Sequence, residues 1–173
     1  MEHLLSMFKF IFFRVNLLIF VLISLAMTVI GEKIPNKIYF YKKWLFRERK
    51  WENGGRIYEN CFKVKRWKSK LPDISDFVKW RFNKKHLVKV DNEYLSIFLT
   101  ESCKSEFTHW MIIMSTAFFN FWNDTATTIL MLVFSCVLNL PYIIIQRYNR
   151  PRVIRLLLCN NINNKYELSA AKV

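Results

Sequence analysis

Turn-forming residues are scarce in this chain. Glycine occurs 3 times and proline 4 times in 173 residues. A sandwich or barrel built from many short strands needs more of these residues at its turns, so we exclude both fold classes. A glycine-rich phosphate-binding loop is excluded for the same reason, because the chain has too few glycines to build one.

Cysteine and acidic residues are also sparse. The 4 cysteines are Cys61, Cys103, Cys136 and Cys159, and no two of them form a C-x-x-C pair. We therefore expect free thiols rather than a zinc ribbon or a redox pair. Asp and Glu number 13 against 27 Lys and Arg, which gives a net charge of +14. Apolar residues make up 53% of the chain and aromatic residues 17%, which excludes a largely disordered protein.

Three apolar runs, near residues 8–31, 107–122 and 126–145, are each suited to a membrane span. Asn123, Asp124 and Thr125 separate the last two runs and suit a tight turn, with Asp124 or Thr125 capping the next helix. The alternatives are a cleaved signal peptide for the first run and a buried soluble hairpin for the other two. The first run has no good small-residue cleavage site, which favours an uncleaved anchor. The expected fold class is an all-α integral membrane protein with about three transmembrane helices.

The basic residues predict an orientation in the membrane. Residues 32–106 carry 19 of the Lys and Arg residues, and 6 more follow the third run. The positive-inside rule places both segments in the cytoplasm. This prediction requires the N-terminus outside and three spans in a multi-pass protein of the cell membrane, with most of the polar mass cytoplasmic.

The segment 32–106 alternates aromatic residues with cations, as interfacial amphipathic helices do. We predict a helix from Ile34 to Leu45 and a break at Gly54 and Gly55. A second short helix contains Ile57, Cys61 and Val64 and ends at residues 71–73, and a third is capped by Ser75 or Asp76. Membrane lipids are the expected partner, and no nucleic acid. Residues 1–155 are predicted to form a single membrane-embedded domain, and residues 156–173 a polar, disordered C-terminal tail.

Candidate catalytic residues lie on a helix predicted to start at Asp91 or Asn92 and to continue into the second span. Glu101 and His109 fall in one polar stripe of this helix. Glu106 lies about 60° from His109 at i, i+3 spacing, so those two side chains can touch. A histidine beside a carboxylate can act as a general base with its orienting group. The facing end of the third span offers candidate substrate-binding residues, which are Asn139, Gln146, Arg147, Asn149, Arg150 and Arg152.

Three other interpretations of these residues stay open. Arginine–glutamate pairing that seals the helix bundle carries nearly equal weight. Glu101, Glu106 and His109 also suffice for a single zinc site, although we expect no metal and no cofactor. Finally, His86 and Asp91 match the H-x4-D pattern of glycerolipid acyltransferases, where the histidine is the base and the aspartate orients it.

Four blocks of the sequence resemble the glycosyl-4,4'-diaponeurosporenoate acyltransferase family of bacterial membrane enzymes. These blocks are residues 46–58, 67–73, 101–110, and 139–141 together with 146–152. The resemblance implies a small multi-pass membrane enzyme. It also implies transfer of a fatty acyl group to the primary hydroxyl of a glucose carried by a C30 carotenoid acid, which is the last step towards a staphyloxanthin-type pigment.

The resemblance and the candidate residues lead to one hypothesis. An O-acyltransferase would use His109 as the base, Glu106 or Glu101 to orient it, and the arginines to bind the donor's phosphate or carboxylate. Asn139 or Gln146 would stabilise the oxyanion. The expected partners are a fatty acyl donor and a carotenoid glycoside or similar glycolipid as acceptor. A metal-dependent membrane enzyme and a non-catalytic lipid-binding adaptor are the alternatives.

Overall fold

The computed structural model describes residues 2–71 and 91–170, with side chains for residues 13–71 and 91–161. Its α-helices are α1 (Glu2–Lys33), α2 (Arg56–Phe62), α3 (Val64–Trp67), α4 (Asn92–Ser115) and α5 (Thr125–Ala170). Short 3₁₀ helices cover Asn36–Ile38, Lys50–Gly55, Lys68–Lys70 and Thr116–Phe121. The described residues contain no strand, which confirms the all-α prediction.

Two stretches of helix are long and apolar enough to cross a membrane. They are Phe13–Lys33 in α1 and Thr125–Asn161 in α5, both with a mean hydropathy of 2.3. Only 11% of the first apolar stretch and 22% of the second is buried, so their apolar side chains are not the core of a soluble protein. The two helices therefore indicate membrane association. Among the described residues, α4 does not meet the same test, and the third span stays a prediction.

Polar side chains within α1 bond to the helix itself. Ser24 donates to the carbonyl of Phe20 at 2.8 Å, and Thr28 donates to the carbonyl of Ser24 at the same distance. A hydroxyl that bonds one turn back needs no water, so these residues are compatible with an apolar environment.

The chain divides into two compact units. Unit 1 comprises Met1–Ile34 and Phe107–Leu140. Its core is formed by α1, the end of α4 with the following 3₁₀ helix, and the start of α5, through Phe20, Ile112, Phe119 and Met131. Side-chain amides close one end of this core, because the buried Asn16 exchanges hydrogen bonds with the half-buried Asn123 at 2.9 and 3.0 Å.

The turn between α4 and α5 agrees with the prediction. The Asp124 carboxylate accepts hydrogen bonds from the backbone N–H groups of Ala126 at 3.1 Å and Thr127 at 3.2 Å, and so caps α5. These bonds, with a further one from the Thr127 hydroxyl, lower the pKa of Asp124. The second predicted span, residues 107–122, differs from an unbroken helix because α4 ends at Ser115 and a 3₁₀ helix follows.

Unit 2 comprises Pro35–Glu106 and Pro141–Val173. One cluster of its core joins α4 to α5 through Leu95, Phe98, Leu99 and Val153. A second cluster joins α2 and α3 to α5 through Tyr58, Val64 and Tyr148. The segment before α4 is therefore anchored to α5 by buried aromatic and aliphatic side chains.

Two predictions for this unit were wrong. Residues 34–45 do not form an α-helix, because Pro35 has an extended ψ of 135° and only the 3₁₀ turn Asn36–Ile38 follows. The predicted disordered tail is also helical, since α5 continues to Ala170. Contacts with α4 explain this extension, because Leu157 packs on the Leu95 cluster and Asn161 accepts a 2.8 Å hydrogen bond from Asn92. The break at Gly54 and Gly55 is confirmed, and α2 follows it as expected.

All four cysteines are free thiols, as predicted, but their surroundings differ. Cys103 is completely buried, and burial raises its pKa to about 11 despite the nearby Arg150. Cys61 is exposed. Because the thiolate is the reactive form, we expect a maleimide at neutral pH to modify Cys61 and to leave Cys103 intact. Peptide mass spectrometry of the folded protein in detergent measures both sites. Equal labelling of the two would contradict the packing of α4.

Candidate active site

A buried network of two arginines and two glutamates lies in unit 2. The arginine Arg147 on α5 is its centre. Its Nε donates to Glu106 Oε1 at 2.7 Å and its Nη1 donates to Glu52 Oε1 at 2.8 Å. The remaining nitrogen, Nη2, donates to the backbone carbonyl of Leu45 at 2.8 Å. All three nitrogens of this guanidinium are therefore bonded within the protein.

Arg150, one turn further along α5, is the second cation of the network and is only 2% exposed. Its Nη1 donates to the carbonyl of Phe46 at 2.9 Å, and its Nη2 bonds to the carbonyl and hydroxyl of Ser102 at 3.2 Å each. Nη2 also lies 2.7 Å from Glu106 Oε2, at ion-pair distance but without the alignment of a hydrogen bond. The fully buried Glu106 thus contacts both arginines.

Glu52 reaches the network from a tight turn. Its Oε2 accepts a 2.7 Å bond from the backbone N–H of Arg49, and its Oε1 accepts a 2.6 Å bond from the Tyr58 hydroxyl. Burial alone would raise the pKa of Glu52, but the bonds from Tyr58, Arg49 and Arg147 outweigh it and lower that pKa. Burial and the adjacent carboxylate raise the pKa of Tyr58, which keeps its hydroxyl protonated as a donor.

The network is electrically balanced, with two carboxylates facing two guanidinium groups. Balanced charges that are also hydrogen-bonded can remain ionised in a low-dielectric interior, whereas a lone charge cannot. A small cleft with a cavity volume of about 10 Å³, room for about one water molecule, opens beside them. Its lining residues are Phe46, Glu48, Glu52, Arg147, Arg150, Pro151 and Ile154.

A histidine–asparagine pair lies in unit 1. His109 Nδ1 is 2.8 Å from Asn139 Oδ1, and Asn139 Nδ2 donates to the carbonyl of Ser135 at 2.8 Å. Because a carbonyl can only accept, the Asn139 amide is oriented with its oxygen towards the imidazole. The Nδ1 atom must then carry a proton, which puts the lone pair of the neutral ring on Nε2. This tautomer is the one in which Nε2 acts as a base.

Comparison with known proteins gives these residues a context. The family model described as glycosyl-4,4'-diaponeurosporenoate acyltransferase matches residues 42–158, which contain both the network and the histidine–asparagine pair. The chain belongs to the glycosyl-4,4'-diaponeurosporenoate acyltransferase family. It is therefore an acyltransferase, and the metal-dependent and adaptor alternatives are not favoured.

Curated relatives support the same assignment. Proteins named glycosyl-4,4'-diaponeurosporenoate acyltransferase from Staphylococcus aureus strains bovine RF122 / ET3-1, N315 and USA300 are each 27% identical to this chain over 136 residues. The aligned part covers 79% of this chain and 82% of each relative. No solved structure matches the chain.

Within this family member, the predicted catalytic residues have various partners. Glu106 pairs with the arginines of the network, while His109 Nδ1 pairs with Asn139. Glu101 forms an ion pair of 2.8 Å with Lys104. Asp91 is exposed and caps α4 by accepting a 2.7 Å bond from the N–H of Tyr94. His86 lies outside the described residues. The described part of the chain contains no group of three His, Cys, Asp or Glu side chains that could hold a metal ion.

Of the six predicted substrate-binding residues, Asn139 pairs with His109. The other five divide into three groups. Arg147 and Arg150 belong to the network, which is the pairing that the sealing interpretation describes. Gln146 donates a long 3.4 Å bond to Ser105. Asn149 and Arg152 lie elsewhere in unit 2, beside Lys68 and Tyr148 respectively.

Sequence reasoning missed Glu52, Tyr58 and Lys68. A usable signal was present for Glu52, because it follows Arg49 by three residues just before the glycine break, the spacing of a capping box. No local pattern distinguishes Lys68 from the other lysines of its segment. Its distinguishing contacts are with Tyr148 and Asn149, which lie on α5.

The turn at Gly54 and Gly55 brings backbone close to α5. Gly55 has φ +78°, and a Cβ at this position would lie 2.9 Å from the carbonyl oxygen of Tyr148 and 3.1 Å from Nη1 of Arg152. We expect Gly55→Ala to lower the free energy of unfolding by about 1–2 kcal/mol from the left-handed backbone alone, with steric displacement in addition. Thermal unfolding in detergent measures this loss. Asn53→Gly, at φ 46° in the same turn, is the matched control and should be nearly neutral; equal stability of both variants would contradict the close approach.

Proposed function

We propose that this chain transfers a fatty acyl group from an activated donor to a sugar hydroxyl of a glycosylated C30 carotenoid acid or similar glycolipid. The observation that carries the proposal is the 2.8 Å bond between His109 Nδ1 and Asn139 Oδ1, because it prepares Nε2 as a base. Membership of the acyltransferase family supports the reaction class. The names of the Staphylococcus aureus relatives support the acceptor.

In the proposed step, His109 Nε2 removes the proton of the sugar hydroxyl while that oxygen attacks the acyl carbonyl carbon of a thioester or ester donor. A new C–O ester bond forms, and the C–S or C–O bond to the leaving group breaks. The imidazolium then returns the proton to the departing sulfur or oxygen. Asn139 stabilises the imidazolium through the Nδ1 hydrogen bond, in the way that an orienting residue assists a catalytic histidine.

This proposal assigns the orienting role to Asn139 instead of Glu106 or Glu101. The Glu106 carboxylate is engaged by Arg147 and Arg150, and Glu101 is paired with Lys104. We assign the network a positioning role, because its arginines hold the carbonyls of residues 45 and 46 against α5.

We also propose that unit 2 contacts the membrane interface through residues 35–55. Trp44 is 69% exposed and Trp51 is 62% exposed. The Arg49 guanidinium stacks on the Trp44 ring, 4.6 Å from its centre. An exposed tryptophan beside a cation suits the membrane interface, where tryptophan is enriched and the cation can contact lipid phosphates. Bilayers that contain brominated lipids should quench the fluorescence of Trp44 in a variant retaining only that tryptophan. Quenching no greater than that of free tryptophan in the buffer would overturn this placement.

The acceptor is tested in a host that makes glycosyl-4,4'-diaponeurosporenoate and lacks an acyltransferase for it. Pigment extracts of cells with the gene and with an empty vector are compared by mass spectrometry. We expect an added fatty acyl mass on the glycosylated pigment only in cells with the gene. Acylation of another glycolipid would retain the reaction class and reject this acceptor. An unchanged lipid extract, with the protein present in the membrane, would overturn the proposed function.

A further inference from the structure

Two cations in unit 2 converge on one tyrosine ring. The Arg152 guanidinium carbon lies 3.6 Å from the centre of the Tyr148 ring, and Lys68 Nζ lies 5.1 Å from the same centre. Arg152 Nη1 also donates to the backbone carbonyl of Tyr148. Lys68 Nζ donates to Asn149 Oδ1 at 3.3 Å. The two charges are held by a neutral ring, a carbonyl and an amide, none of which cancels a positive charge.

The surroundings of Lys68 and Arg152 contrast with those of Arg147 and Arg150. Both arginines of the network face carboxylates, whereas neither Lys68 nor Arg152 has an ion-pair partner within the described part of the chain. Glu59 acts on Lys68 only at longer range and is itself bonded to the backbone N–H of Lys65. Burial and the charge of Arg152 together lower the pKa of Lys68. Holding two like charges together costs free energy that a bound anion would recover.

The neighbouring turn brings backbone close to these cations. A Cβ on Gly55 would lie 3.1 Å from Arg152 Nη1, and a Cβ on Gly54 would lie 2.7 Å from Arg155 Nη1. Two guanidinium groups therefore lie against a stretch of backbone that has no side chains. Arginine side chains with backbone close by are a frequent arrangement for phosphate recognition, because the planar guanidinium offers paired donors to the phosphate oxygens.

We propose that Lys68 and Arg152, with Asn149 and Arg155 at the margin, bind a phosphate group. The inference rests on the proposed function in one respect, because the phosphate is assigned to the acyl donor. Two donors share this chemistry: a phospholipid that gives up an ester-linked chain, and a thioester carried on a phosphopantetheine arm. The site adds Lys68 to the predicted Asn149 and Arg152. It also assigns donor binding to residues other than those of the charge-balanced network.

Binding to the full-length protein, in an uncharged maltoside detergent, tests the site without any need for turnover. Isothermal titration calorimetry is carried out with inorganic phosphate, with coenzyme A and with dioctanoylphosphatidylglycerol. We expect the wild type to bind at least one of the two larger probes. Preference for coenzyme A identifies a thioester donor, and preference for the phospholipid identifies an ester-lipid donor. Failure of all three probes to bind would overturn the proposal.

Charge-neutral variants then locate the binding site. Lys68→Gln and Arg152→Gln should each weaken the affinity for the preferred probe at least about tenfold, as expected for loss of a charge-assisted hydrogen bond. Lys68→Arg should retain most of the affinity, and it keeps the test decisive if Arg152→Gln unfolds. Lys70→Gln, on an exposed lysine two residues away, is the matched control and should bind like the wild type. Equal affinities for all four variants would overturn the assignment.

The two proposals fail separately. Phosphate binding that depends on Lys68 and Arg152, together with an unchanged pigment, would retain the site and reject the carotenoid acceptor. Acylated pigment without phosphate binding would retain the proposed function and reject this donor site.

Discussion

Replacement of His109 by alanine should lower the turnover number by about 10²–10⁴-fold, the usual contribution of a general base. The substituted side chain is half-buried, and its loss removes the hydrogen bond to Asn139 without leaving a buried charge unpaired, so we expect the variant to fold. Substrate affinity should change little, because the base acts on the proton being transferred. Acyl transfer is measured with purified protein and a labelled donor, with kcat and KM determined separately.

His86→Ala is the matched variant for this experiment. His86 belongs to the H-x4-D match and lies outside the described residues. If His109 is the base, His86→Ala should retain activity. The opposite result, an active His109→Ala and an inactive His86→Ala, would transfer the catalytic assignment to His86 and Asp91.

Asn139 should act through His109, and its variants separate this positioning role from simple packing. Asn139→Ala should lower kcat about 10–100-fold with KM nearly unchanged, as losses of orienting groups usually do. Asn139→Asp keeps an acceptor for Nδ1 and should recover part of the activity. Ser135→Ala is the control, because it removes a buried hydroxyl without a hydrogen bond in the described structure and keeps the carbonyl that orients Asn139. Equal loss in all three variants would indicate a packing effect.

Glu106→Ala should destabilise the protein by about 3–5 kcal/mol, because it leaves buried cations without their carboxylate. Glu106 is fully buried and is bonded to Arg147 and paired with Arg150, while Arg150 itself is 2% exposed. For a chain of this length, the change corresponds to a fall in Tm of about 6–20 °C. Thermal unfolding in detergent micelles measures the shift.

The control for Glu106 lies on the same helix. Glu93 is exposed in the first turn of α4, where its interaction with the helix dipole contributes at most about 1 kcal/mol. Glu93→Ala should therefore lower Tm only slightly. If the two variants unfold at the same temperature, the network does not stabilise unit 2, and the arginines become candidates for direct substrate binding.

The parts of the fold that were predicted correctly depend on local sequence. The apolar runs predict the positions of α1 and α5. A run of some twenty apolar residues identifies a membrane-spanning helix from its own composition, without information about the residues that it contacts. The starts of α4 and α5 follow from Asp91 and Asp124, whose carboxylates cap the next turn. The break at Gly54 and Gly55 follows from backbone that only glycine adopts easily.

The failures have a physical reason as well. The spacing of Ile34, Ile38 and Tyr41 suggested an amphipathic helix, but the chain turns after Pro35 and buries Tyr39 instead. Leu157 and Asn161 hold the last part of α5 on α4, so a segment that is polar in sequence stays helical. After Pro35, tertiary contacts outweigh a local helical pattern, whereas at the end of α5 they stabilise a helix that the local sequence does not predict. Local propensity is a weak prior in both cases.

The sequence by itself determined the membrane association, the all-α class and the family, because composition, periodicity and motifs are local properties. Only the tertiary structure decided which charges meet. Arg147 bonds to Glu52, 95 residues away, and to Glu106, 41 residues away, while His109 pairs with Asn139. Helical spacing identified the faces that carry Glu106 and His109, but the partner of each depends on another segment, and no local pattern specifies it.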